Sequence, residues 1–176
     1  MSKQDKLHQI NIGFSPEEDR LLLRTNTTGK TEYRLWMRRR YVRLLWKMLT
    51  KSVESLPNVV AQAAPESREA VKFFQREEAR QAADYSKDYE NKAAKRPLGE
   101  NAALLTGMRT TASESGTQLV LQTKDGRSIN RRLERKLLYS LLDLLTSSTK
   151  KAEWNLDLSV AESPLAAAPE QDGPVH

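Results

Sequence analysis

Cysteine is absent from the 176 residues, which removes disulfides, thiolate metal ligands and a cysteine nucleophile. Histidine is scarce: His8 and His176 lie near opposite ends of the chain and form neither a metal pair nor a triad by spacing. No run of about 18 apolar residues occurs, and the start Met1-Ser2-Lys3-Gln4-Asp5-Lys6 leads into a short alternating stretch, not an apolar signal block. These absences predict a soluble, cytoplasmic protein that does not enter a membrane. Adjacent carboxylates occur in Glu17-Glu18-Asp19, a turn, and in Glu77-Glu78, on an exposed helix, where solvation explains them. No catalytic residue, cofactor or metal site emerges, so the expectation is a protein that is not an enzyme.

Cations are abundant. The net charge is +6 and the mean hydropathy is −0.68, polar for a domain of this size, so part of the chain belongs outside any core. Residues 1–52 hold 12 basic and 5 acidic side chains, 53–100 hold 8 and 9, 101–152 hold 9 and 4, and 153–176 hold 0 and 5. The positive charge is therefore concentrated in two separate stretches, and a polyanion or an acidic protein surface is the partner this implies.

The same two stretches resemble each other. Leu21-Leu22-Leu23-Arg24-Thr25 aligns with Leu119-Val120-Leu121-Gln122-Thr123. After a turn two residues shorter in the second stretch, Met37 falls on Leu133, Arg39 on Arg135, Leu45 on Leu141 and Ser52 on Ser148. Gly107 is matched with Gly13. Each stretch reads as three strands and a helix: Ile10, Ile12 and Phe14 alternate with polar residues, as do Tyr33, Leu35 and Met37, while Asn26 to Lys30 and Lys124-Asp125-Gly126 carry hairpin chemistry. Tyr41, Leu44, Leu45, Met48 and Leu49 form the expected buried stripe of the first helix, and Leu133, Leu137, Leu141, Leu144 and Leu145 that of the second. Pro57 ends the first helix and Pro65 opens a third.

The fold class expected is α+β: two β-β-β-α repeats forming an antiparallel sheet assembly with packed helices, related by a pseudo-two-fold axis. Repeat one covers 7–56, a long helical insert 65–96, with Val71, Phe74, Tyr85 and Tyr89 as anchors, and repeat two 102–149, all within one duplicated domain, 1–160. Trp154, Leu156, Leu158 and Val160 alternate as in a terminal strand, and 161–176 reads as a disordered acidic and Ala-Pro tail. The layout resembles that of the PUR and Whirly-type single-strand-binding proteins, although three strands stand in each copy where those proteins have four.

Thr28-Gly29-Lys30-Thr31 imitates the end of a phosphate-binding loop, but Arg24 stands where its first glycine belongs and a strand follows instead of a helix; a hairpin is expected. The better candidate surface is the sheet face turned away from the helices. Arg24, Arg34, Trp36 and Arg38 in the first copy and Arg132 in the second would lie there, joined by Arg43 and Lys47 of the first helix, as contacts for a partner. Cations beside an aromatic suit single-stranded nucleic acid. The alternative is a protein-interaction or scaffold module, a homodimer among its forms, built on the inserted helix.

Overall fold

Alternating apolar residues set the first strand. In the computed structural model, which describes residues 5–83 and 88–158, Leu7–Ser15 forms β1, followed by β2 (Arg20–Thr27), β3 (Glu32–Met37), α1 (Arg39–Glu54), the short α2 (Pro57–Val60) and α3 (Pro65–Ala82). Three strands and a helix then come again: β4 (Ala103–Ser113), β5 (Gly116–Thr123), β6 (Ser128–Glu134) and α4 (Arg135–Lys151). Proline opens both α2 and α3, where its missing N–H is no loss.

The six strands make one sheet in the order β1-β2-β3-β4-β5-β6. Neighbours are antiparallel except β3 and β4, which run parallel over Leu35↔Ala103 and Trp36↔Leu104. The all-antiparallel expectation is thus corrected to a mixed sheet. The intervening helices supply the long crossover that a parallel pair demands.

The core is one aliphatic layer. Leu21, Leu23, Leu35 and Met37 from the first three strands, and Leu105, Leu119, Leu121, Ile129 and Leu133 from the last three, meet Val42, Leu45 and Leu49 of α1 and Leu138, Leu141 and Leu145 of α4. Burying each such side chain contributes about 1.5–3 kcal/mol, far more than a surface ion pair at about 0–1 kcal/mol. α1 packs on β4 and α4 on β1. Tyr41 donates from its hydroxyl to the Thr106 carbonyl at 2.9 Å, and Ser148 Oγ to the Ile12 carbonyl at 3.4 Å. Each helix therefore covers the first strand of the other half, so the two halves share one interior.

Several expectations change. The buried face of α1 is Val42, Leu45, Leu49, Ser52 and Val53, and Leu44 is 39% exposed, because α4 and β4 meet the helix one residue round from the stripe read in the sequence. The long helix 65–96 stops at Ala82, where Ala83 turns to extended backbone. Residues 94–96 instead run beside the start of β3: the Ala94 amide donates to the Lys30 carbonyl and the Glu32 amide to the Lys95 carbonyl, both at 2.9 Å, backbone bonds that a helix has no free groups to make. Phe74 is 69% exposed; α3 meets α4 through Gln75, Arg76 and Ala79. Residues 152–158 form no strand, and Trp154 is buried edge-on against Phe14. Tyr85, Val160 and the 161–176 tail lie outside the described residues.

The strand register differs from the sequence alignment. Leu21 pairs with Met37, and Thr117, not Leu119, pairs with Leu133. The shorter turn lies one hairpin earlier: Ser15↔Arg20 encloses four residues and Ser113↔Gly116 encloses two. Gly107 faces Gln122 just after an irregularity in β4, as Gln9 faces Asn26 just after one in β1, so its counterpart in register is Gln9 and not Gly13.

Candidate nucleic-acid interface

Alternation along β2 and β3 sends Leu21, Leu23, Leu35 and Met37 into the core and their neighbours to the opposite, outer face. One outer row runs Gly13, Leu22, Trp36, Leu104 across four strands. Leu22, Trp36 and Leu104 are partly exposed, and a Cβ on Gly13 would meet no atom within 4 Å, so this row is an open apolar shelf. Arg20 and Arg38 stand one step beyond it; Asn11, Arg24 and Arg34 form the next row on the other side.

Arg24 and Arg34 are direct cross-strand partners. Like charges so placed repel. Asn11 Oδ1 accepts from Arg24 Nε at 3.2 Å and Nη2 at 2.9 Å, and Asn91 Oδ1 accepts from Arg24 Nη1 at 2.9 Å. The Tyr89 ring lies 4.4 Å from the Arg24 guanidinium carbon. Arg34 donates to the Glu100 carbonyl and stands 3.9 Å from Glu32 Oε2. Glu32, only 3% exposed, also accepts from Arg96 Nε at 2.9 Å and from the Tyr89 hydroxyl at 3.1 Å. Burial and the Glu32 charge push the Tyr89 phenol above its ordinary range. Residues 88–100 thus cross the outer face of β1–β3 as a strap with no helix in it, where the sequence reads as helix to residue 96.

The seven residues expected to form one surface fall into four groups. Arg24, Arg34 and Trp36 share the outer face of the first half, but the strap engages both arginines, which corrects their expected freedom. Arg38 is exposed at the start of α1, in extended backbone. Arg43 and Lys47 are exposed on α1 itself, not on the sheet, in one stripe with Arg40, Leu44 and Lys51. Arg132 is exposed on β6, three strands from β3 in the sheet order. Arg20, Arg40 and Lys51 complete these groups; the spacing of three to four residues from Arg43 and Lys47 is the signal that finds the last two.

Among the described residues, Arg38, Arg40, Arg43, Lys47 and Lys51 make no ion pair, whereas Arg39 pairs with Asp19, Lys72 with Glu54, Arg80 with Asp143, Arg127 with Asp125 and Arg135 with Glu78. The first turn of α1 contains no acid, although the helix dipole favours one there. Elsewhere acidic groups are tied down: the Trp154 indole N–H and Arg39 hold the Asp19 carboxyl below its usual value, and Arg127 does the same for Asp125.

Other chemistry is weak. Thr28–Lys30 is a hairpin turn, with Lys30 at φ 58°, and the Gly29 amide donates to Asp5 Oδ1 at 2.7 Å, so a carboxylate occupies the position a phosphate would need. No metal-holding group of three or more His, Cys, Asp or Glu is found among the described residues, and no helix among them is long and apolar enough to cross a membrane. Comparison with protein-family models, curated proteins and solved structures finds no match.

Proposed function

We propose that this chain is a non-enzymatic, cytoplasmic nucleic-acid-binding protein that takes unpaired strands on the outer face of β1–β3 and guides phosphates along α1. One observation carries the reading: five cations without ion pairs, Arg38, Arg40, Arg43, Lys47 and Lys51, stand directly after the shelf that presents Trp36. Most of the cations on α3, by contrast, pair with acids, as does Arg34 of β3. An aromatic on a flat face with cations around it stacks a splayed base and leaves its phosphate to the guanidinium groups.

We further infer that the two strand-strand-strand-helix units arose by duplication and are related by a pseudo-two-fold axis. Irregularities at matching places in β1 and β4 support this, as do two hairpins in which Lys30 and Gly126 both take positive φ, 58° and 83°. Thr27 and Thr123 each donate their amide to the residue four positions on, at 3.0 and 2.9 Å.

The test is anisotropy of a labelled oligothymidylate titrated with the protein at low and rising salt. Binding whose logarithm falls with log salt by about 0.7 per phosphate contacted is expected. A protein that purifies free of nucleic acid and leaves the oligonucleotide unbound at low salt overturns the proposal. A second reading, protein interaction or self-association, draws on Phe74 and Val60, 69% and 60% exposed on α3 and α2. It requires a solution mass above the monomer or a co-purifying acidic protein, unaffected by oligonucleotide.

A further inference from the structure

Residues 88–100 are held unevenly. From Ala94 to Leu98 the strap is rooted: backbone bonds tie it to Lys30 and Glu32, Arg96 binds Glu32, Arg127 donates to the Pro97 and Leu98 carbonyls at 2.8 and 3.2 Å, and Leu98 is buried. Residues 88–91 bury no aliphatic side chain. They lie on the sheet through Gln9 Nε2 to the Asp88 carbonyl at 3.4 Å, the Glu90 amide to Gln9 Oε1 at 3.0 Å, the Tyr89 hydroxyl to Glu32, and Arg24 to Asn91. Polar contacts of this kind contribute little net stability each, and a segment held by them alone opens at far lower free energy than the core.

What this arm covers is a prepared group. Asn11 fixes the Arg24 guanidinium through two nitrogens, leaving Nη1 and the flat face. The arm fills both: an amide oxygen on Nη1 and an aromatic ring over the face. One acceptor oxygen and one flat ring, side by side, are also what a nucleotide presents. Arg24 sits diagonally across from Trp36 on the same face, on the order of 7–8 Å away, so a base on Arg24 and a base on Trp36 are neighbours on one strand.

We propose that the Arg24 guanidinium is a nucleotide-binding position of this protein, occupied in cis by Tyr89 and Asn91, which an unpaired nucleotide displaces while the root from Ala94 to Leu98 stays bound. This rests on the nucleic-acid reading above and adds that the arm competes with the ligand. The full-length Tyr89→Ala/Asn91→Ala variant is titrated beside the wild type with the labelled oligothymidylate. Removing the competitor raises affinity, by about tenfold if the arm is closed roughly nine-tenths of the time. Hydrogen exchange on the wild type gives an independent readout. Adding oligonucleotide should speed exchange of the Glu90 amide, bonded to Gln9, and leave the Glu32 amide, bonded to Lys95, unchanged. Equal or weaker binding by the variant, or a slowed Glu90 amide, overturns the competition and leaves the nucleic-acid reading standing. If neither wild type nor variant binds, both fall.

Discussion

The two outer faces of the sheet have little in common, whereas the two inner faces are both mainly apolar, although Arg131 stands where the register puts Leu35 in the first half. Inside, leucine, isoleucine and methionine fill both halves, and Leu45 and Leu141 are 0% and 2% exposed. Outside, Trp36 stands opposite Leu22 in the first half, and the position next to the corresponding inner pair in the second half is Arg132 opposite Gln118. Arg34 faces Arg24, while Asn130 faces Val120. The strap crosses the first face, and no hydrogen bond or ion pair joins residues 88–94 to the second among the described residues. Inner positions answer to a packing requirement that both halves share, so most of them are apolar. Outer positions are released from it, and the half with an aromatic shelf and opposed arginines is also the half that carries a cover.

The inner face gives the largest expected effect. Leu45→Ala and Leu141→Ala should each destabilise the fold by about 2–5 kcal/mol, in one denaturant transition for each variant, because each helix is seated on the other half's first strand. Two separate transitions, or a variant whose loss is confined to its own half by hydrogen exchange, would show that the halves hold separate cores. The outer face comes next. Trp36→Ala should cost about 1–3 kcal/mol of oligonucleotide binding and leave the denaturation midpoint within experimental scatter. Arg132→Ala, at the corresponding place in the second half, should cost less than Trp36→Ala; equal losses would erase the distinction between the two faces. Arg43→Glu with Lys47→Glu tests the α1 stripe, and should flatten the dependence of log affinity on log salt by roughly 1.4 if two phosphate contacts are lost.

The comparison also explains what could be read from the chain. Both hairpins, the opening of α3 at Pro65 and the seating of Leu45 and Leu141 were legible, because period and turn chemistry act locally. The register of the first half against the second was not. In register Leu21-Leu22-Leu23 stands on Thr117-Gln118-Leu119, a poorer apolar match than Leu119-Val120-Leu121, and because a shift of two leaves every side chain on the same face, the apolar pattern favoured the wrong alignment. The rotation of α1 was missed because Leu44 and Leu45 compete for one buried place, and only the direction of approach of α4 and β4 decides between them. Residues 88–96 are rich in Ala, Lys and Glu and read as helix, yet the free edge at the start of β3 offered backbone partners that outweighed that propensity. Arg24 and Arg34 were found as outward cations, but what sits on them comes from residues more than 50 positions away, a relation with no periodic signature.

The smallest effect concerns the cover itself, and pH reads it. Tyr89 lies partly buried with its hydroxyl on Glu32, and its phenol titrates above the ordinary value of 10.0. A folded-state value raised above the unfolded one contributes stability that is fully present below about pH 10 and is lost as pH rises through the folded value. In the Tyr89→Phe variant this contribution is missing, so the stability difference between wild type and variant should shrink above about pH 10. Tyrosinate absorbance, taken as wild type minus Tyr89→Phe, should show this one phenol ionising late. Saturating oligonucleotide should bring that late ionisation back toward the ordinary value, because a displaced arm takes Tyr89 off Glu32 and into water. If the late ionisation is unmoved by ligand, the arm has stayed on the sheet, and the difference between the covered face and the open one is structural only.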